Sequence, residues 1–161
     1  MIVTAEELKA IREHAVREYP RESCGVIVVR GAGRRVVPCR NEQDELHARD
    51  PLKYSRDART AYYIHHDDLI ALGKLEVQGF SYAVIYHSHV DVGAYFSPTD
   101  KRNALMGDEP AYPGVTYVVT SVVDRRAEAT AAFRWDPVAK DFLEVELTVT
   151  SAVASAERNH E

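Results

Sequence analysis

The sequence predicts an α/β fold in which one mixed sheet is flanked by helices. Three observations lead there. Short β-branched runs, Val26-Ile27-Val28-Val29 and Val115 to Val123 among them, alternate with segments of helical periodicity. Helix-start signals stand at Thr4-Ala5-Glu6-Glu7 and at Ser97-Pro98-Thr99-Asp100. The chain has 161 residues, 45% hydrophobic and 28% charged, which is the size and mixture of one globular domain. That domain is expected over residues 1–150, with 151–161 a small, polar, frayed tail.

Element by element, Thr4 and Glu7 form a capping box, Leu8, Ile11 and Ala15 follow at helical spacing, and Pro20 stops the helix. Glu22 to Arg30 is a buried strand, and Gly31-Ala32-Gly33 turns it into a second strand around Arg35 to Cys39. Asn41 to Thr60, charged and carrying Pro51, is expected to be a long loop, and Ala61 to His65 a short strand. Asp67 is a candidate cap for a helix through Leu69, Leu72 and Leu75 that ends near Gly79. Tyr82 to Tyr86 is a strand. Ser97 caps another helix, ended by Gly107 and followed by a loop over Asp108 to Gly114. Val115 to Val123, Thr130 to Trp135 and Phe142 to Val149 are the remaining strands.

Composition narrows the function. Twenty Lys and Arg face 25 Asp and Glu, a net charge of −5, which argues against a nucleic-acid partner. Apolar runs are too short to span a bilayer, and no signal-peptide pattern opens the chain, so neither membrane nor export is expected. Cys24 and Cys39 form no CxxC and suit a reducing compartment, so a cytoplasmic location is expected. HExxH, GxSxG, a P-loop and the PCxxC of zinc deaminases are all missing.

The chemistry concentrates in His87-Ser88-His89 and the residues up to Asp100, directly after the Tyr82 to Tyr86 strand. Two histidines at i and i+2 on extended chain point to one face, where neutral imidazoles can share a Zn²⁺. A catalytic zinc takes a third protein ligand and leaves one position open. Asp91 and Asp100 are the candidates. An extended path of four residues from His87 to Asp91 covers about 13 Å, too far for a short side chain, so geometry favours Asp100 in the first turn of the next helix. Ser97, one turn earlier, can cap that helix or face the metal.

The pattern His-Ser-His, seven residues, Ser, two residues, Asp resembles the zinc motif of the JAMM (MPN-type, prokaryotic JAB) metalloprotease family. Arg21-Glu22-Ser23-Cys24-Gly25 is similar to the Glu-x-Cys-Gly segment of its bacterial members. The resemblance spans roughly residues 5 to 135. It departs from the family at Val90 and Phe96, where members commonly carry Pro. It implies a single JAMM-like domain with cytidine-deaminase-like layering, zinc held by His87, His89 and Asp100, Glu22 as general base and proton carrier, and Ser97 as oxyanion donor. The chemistry is sound in itself: zinc lowers the pKa of water from about 15.7 to about 7, and a nearby carboxylate can then take the proton.

The compact form, with Glu-x-Cys-Gly and Tyr-His-Ser-His, most resembles members that release an amino acid such as cysteine from the C-terminal Gly-Gly tail of a sulfur-carrier or ubiquitin-like protein. The alternatives are a deconjugase that frees such a protein from a lysine, and a non-catalytic scaffold. Oligomeric state is left open between monomer and dimer. A Gly-Gly tail offers no side chains, so it is expected to add as a strand to an exposed edge beside the His87-His89 strand end, under Tyr95 and Phe96 or the Asp108 to Gly114 loop.

The remaining motifs read as structural. In His65-His66-Asp67-Asp68, adjacent histidines on a strand would point opposite ways, poor geometry for one metal. Cys24 in an apolar strand start is expected to be inert. Cys39, His14 and His47 show no pattern. Arg34-Arg35 and Arg125-Arg126 are expected at solvated hairpin ends.

Overall fold

The computed structural model describes residues 1–151; all of the expected tail beyond Ser151 lies outside the described residues. The capping box forms as the sequence implies. Thr4 Oγ accepts from Glu7 N, Glu7 Oε2 accepts from Thr4 N, and helix α1 runs over Ala5–Glu18. A two-residue strand β1, Val3–Thr4, precedes it. Strands β2 (Cys24–Arg30) and β3 (Gly33–Cys39) make the first hairpin.

Asn41 to Thr60 is not one long loop. It contains helix α2, Gln43–Arg49, with Asp44 and Glu45 in its first turn and His47 and Arg49 in its last, the charge order that suits the helix dipole. Gln43 and Leu46 are its only buried residues, which is too little apolar signal for the periodicity to stand out. The expected strand at Ala61 to His65 is reduced to a single bridge between Asn41 and Ile64. Helix α3, His66–Val77, is capped by His65, whose Nδ1 accepts from Asp67 N, so Asp67 is inside the helix and not its cap.

Strand β4, Ser81–Val90, runs straight through the two histidines. Helix α4 covers only Pro98–Asn103. Gly107 does not end it; its positive φ serves a small hairpin of β5 (Leu105–Met106) and β6 (Glu109–Pro110). Strands β7 (Thr116–Val123), β8 (Arg126–Asp136) and β9 (Asp141–Val145) complete the main sheet, and β10 (Val149–Thr150) pairs with β1.

The sheet order is β3-β2-β4-β7-β8-β9, with β4 and β7 parallel and every other pair antiparallel. It is a mixed α/β fold, as the sequence predicts. On one face Ile27, Val84, Tyr86 and Val118 pack with Ile11 of α1. On the other, Val26, Ile85, Val119 and Phe133 pack with Leu72 of α3 and Ala104 beside α4. Strand parity therefore puts Ile85, His87 and His89 on the α3/α4 face.

Arg34 is not a solvated hairpin end. Its guanidinium grips the buried Glu7 carboxylate at 2.7 and 3.0 Å and donates to Ile2 O. Burial alone would raise the Glu7 pKa, but Arg34 and the Thr4 N–H hold it below its ordinary 4.5. A depressed carboxylate pKa contributes stability that is present above the unfolded value and lost as pH falls through the folded value. Glu7→Gln should thus flatten the acid limb of a stability-versus-pH curve below about pH 5, measured by urea denaturation; an unchanged limb would refute the coupling.

Gly25 has a packing reason. A Cβ there would meet the Tyr86 phenol, whose hydroxyl lies across β2 and bonds His14 Nδ1 at 2.8 Å. His14 is therefore a satisfied core residue that ties α1 to β4. Gly25→Ala should cost about 3 kcal/mol or more, because the wholly buried Tyr86 ring, held by His14, has no room to move aside; thermal unfolding at wild-type temperature would show this reading to be wrong.

Candidate metal centre

Three donors meet at the C-terminal end of β4. His87 Nε2 and His89 Nε2 are 3.3 Å apart, and each is 3.2 Å from Asp100 Oδ2. His87 is wholly buried and the other two nearly so. Asp100 comes back from α4 in the way the spacing implies. Ser97 Oγ accepts from Asp100 N, and Asp100 Oδ2 accepts from Ser97 N, so a second capping box fixes the carboxylate. Of the two sequence options for Ser97, the cap is what forms, and its hydroxyl hydrogen stays free to donate elsewhere.

Two donors each about 2.0–2.1 Å from a tetrahedral ion stand about 3.3 Å apart. The observed triangle has that size on all three sides. Hydrogen bonding alone accounts poorly for it. His89 Nδ1 faces the Gly93 carbonyl at 2.9 Å, which can only accept, so the neutral ring turns a lone pair at Nε2 toward the Asp100 carboxylate. A lone pair against a carboxylate repels, and a cation between them removes the conflict. His87 Nδ1 is buried without a partner, and its ring stacks on Tyr62 at 4.6 Å. The residues present fit a zinc ion.

The charge pattern agrees. Burial opposes ionisation of Asp100, but the His87 imidazole and the Ser97 N–H hold its carboxyl well below the usual range. Glu22 is the reverse: burial and the nearby Asp100 charge push it up to about 9, while Arg56 pulls the other way. Glu22 is placed by its backbone. Its N–H donates to Ala58 O at 2.7 Å and its carbonyl accepts from Asn41 Nδ2 at 3.0 Å. Next to it, the hydroxyl of Ser88, the residue between the two histidines, accepts from Ser23 N at 2.7 Å. Sequence reading gave no role to Ser88 or Asn41; a polar residue facing the opposite side of an HxH strand was the signal for the first.

The edge of β4 is closed at His87, while at His89 and Val90 the described pairing is with β7 alone. Beside His87 the β4 strand is paired on both sides, with Cys24 of β2 and Val119 of β7. The open space is a groove of about 620 Å³ that runs between the 53–56 and 61–64 segments and α4. It shares Tyr62, Asn103 and Tyr112 with a smaller pocket that reaches Asp100. Phe96 does not line it: buried, it packs in the core against Tyr117, Phe133 and Phe142. Tyr95 is half exposed against His89.

Asp91 is turned away. Its backbone is left-handed, and its carboxylate accepts from Tyr19 Oη, Arg59 Nη2 and Asp124 N. Cys24 is buried with its thiol pKa raised by burial, as expected of an inert core cysteine. Glu42, His65 and His66 form a second group of donors among the described residues. Its premise differs from the sequence expectation: at a helix start the two rings stack, 4.2 Å apart, instead of pointing opposite ways. His65 Nδ1 is nevertheless taken by Asp67 N and by Arg40 at 3.1 Å, and His66 pairs with Glu42 at 3.0 Å, so the group closes on itself.

No described helix is long and apolar enough to cross a membrane. Residues 4–136 match the family described as prokaryotic homologs of the JAB domain. The CysO-cysteine peptidase of Mycobacterium tuberculosis is 27% identical over 135 residues, 83% of this chain and 82% of that protein. Two solution structures share the fold. A protein from Desulfitobacterium hafniense matches with a TM-score of 0.65 at 20% identity, over 98% of each chain. One from Salinibacter ruber matches with a TM-score of 0.58 at 27% identity, over 99% of this chain and 97% of that one. With a family match across most of its length, the chain belongs to the prokaryotic JAB family.

Proposed function

We propose that the protein is a zinc-dependent peptidase that cleaves after the C-terminal Gly-Gly tail of a sulfur-carrier or ubiquitin-like protein and releases an amino acid such as cysteine. The observation that carries the chemistry is the triangle of His87, His89 and Asp100 donors with Glu22 beside it. The carrier as substrate rests on the similarity to the mycobacterial CysO-cysteine peptidase. A cytoplasmic setting suits the two free, buried cysteines.

His87, His89 and Asp100 hold the metal. Zinc, when bound, acidifies water and polarises the scissile carbonyl. Glu22 takes a proton from the attacking water and hands it to the departing nitrogen. A neighbouring cation favours its charged form, so metal loading draws its pKa down from the high value that burial sets. Ser97 donates its free hydroxyl hydrogen to the oxyanion, a contribution on the order of 3 kcal/mol. Tyr62 and Tyr95 bracket the two imidazoles and shield them from water.

The purified protein should carry one zinc per chain by elemental analysis, and Asp100→Ala should lose it. Full zinc content in that variant would displace Asp100 from the ligand set. Glu22→Gln should keep the metal and lose at least about 10²-fold in turnover of a carrier adduct, followed by mass spectrometry, because the amide cannot carry the proton. Near-normal turnover would move the base elsewhere.

A further inference from the structure

The groove beside the metal ligands has an unusual charge. The chain as a whole is at −5, yet the groove is lined by Lys53, Arg56 and Arg102 and by no Asp or Glu. None of these three cations has a carboxylate within ion-pair distance among the described residues. Unpaired cations on one wall of a cleft favour an anionic ligand.

Arg56 is the one built into the site. Its carbonyl accepts from Gln43 Nε2 at 2.8 Å. Two residues on, Ala58 O accepts from Glu22 N at 2.7 Å, and Ala58 N donates to Asp44 Oδ1 at 2.7 Å. Asn41 Nδ2 joins Glu22 O to Ala61 O at 3.0 Å each. The segment that bears Arg56 is thus fastened to the backbone of Glu22 from two sides. The exposed guanidinium makes only a long 3.5 Å contact, to Thr60 O. Its field reaches the Glu22 carboxyl, which it draws down against burial.

A Gly-Gly tail brings no charge to this groove. In a carrier joined to one amino acid, the anion nearest the scissile bond is the α-carboxylate of that amino acid, one Cα beyond the scissile nitrogen. Glu22 delivers the proton to that nitrogen, so a cation held beside Glu22 lies on the leaving-group side. A lysine leaving group would place four apolar methylenes there instead.

We infer that Arg56, with Lys53 and Arg102 along the same groove, binds the free α-carboxylate of the released residue and makes the enzyme a carboxypeptidase toward the carrier. This rests on the peptidase reading above and adds the recognition of a chain end. The reaction balances as simple hydrolysis: water oxygen bonds to the glycine carbonyl carbon, the C–N bond breaks, and a water proton passes through Glu22 to the leaving amine.

The test compares three adducts of one Gly-Gly carrier, the CysO protein named in the mycobacterial relative: with cysteine, with cysteinamide, and with the side-chain amine of Nα-acetyl-lysine amide. Zinc-loaded enzyme should prefer the free acid over both amides by about 10- to 100-fold in kcat/KM, mainly through KM, the range of a charge-assisted hydrogen bond. Arg56→Ala should bring the acid-to-amide ratio close to one, and Arg56→Lys should keep part of it. Equal cleavage of acid and amide by the wild type, which needs no variant to fold, would overturn the role of Arg56 and leave the peptidase standing. Preference for the lysine adduct would overturn it in favour of a deconjugase. Cleavage of none of the three would overturn the peptidase reading for this carrier, and this inference with it.

Discussion

The register between β2 and β4 is the constraint on which the site depends. Cys24 lies opposite His87 and Gly25 opposite Tyr86. Side chains alternate along a strand, so a slip of one residue would turn both histidines toward α1 and away from α4. Two contacts oppose the slip, and both use the face the histidines do not. The Tyr86 ring fits only over a residue without a Cβ, and Ser88 takes the N–H of Ser23. One face of β4 fixes the register while the other presents the donors. This gives the Glu-x-Cys-Gly and Tyr-His-Ser-His segments a single physical explanation: Gly25 admits Tyr86, Ser23 meets Ser88, and Glu22 is set down within reach of the Asp100 charge as a result.

Two buried carboxylates then share one small volume with opposite tendencies. Asp100 keeps its charge because the His87 imidazole and the Ser97 backbone N–H face it. Glu22 has no comparable donor, and both burial and the Asp100 charge favour its protonated form. Pairs of titratable groups driven apart by their surroundings are how one site can keep one carboxyl charged and the other protonated. A divalent cation between His87, His89 and Asp100 would relieve both the lone-pair conflict at His89 and the cost of charging Glu22.

Much of this was legible in the sequence, because local rules govern it. The Thr4–Glu7 capping box, the Ser97 cap, the parity of His87 and His89, and the return of Asp100 through a helix turn depend on residues within a few positions of each other. What stayed hidden depends on partners far along the chain. Helix α2 buries only Gln43 and Leu46 and is held by the groups it serves, with Gln43 bonded to Arg56 and Asp44 to Ala58. Arg34 looked like a hairpin tip, and nothing local announces Glu7 as its partner, 27 residues away. Nor could the closure of β4 on both sides at His87 be seen, because it is a property of the sheet order.

The loop between the histidines and Asp100 shows how packing can stand in for covalent stiffness. Proline at residues 90 and 96 would restrict this segment through its rings. Here Val90 stays in the β4 ladder opposite Val122, and Phe96 drives the other end into an aromatic cluster with Tyr117, Phe133 and Phe142. Between them His89 Nδ1 holds the Gly93 carbonyl, and Ser121 holds that of Val92. Each anchor is a side chain already rigid for another reason, a core residue, a buried imidazole or a sheet residue. The loop therefore inherits the order of the sheet, and Ser97 and Asp100 are delivered to the histidines without either proline. The same device holds the opposite wall of the cleft, where Asn41 joins Glu22 to the 61–63 segment through three hydrogen bonds. Both walls are fixed to the strands that carry the site, so the cleft between them can keep its width while its exposed side chains adapt to what enters.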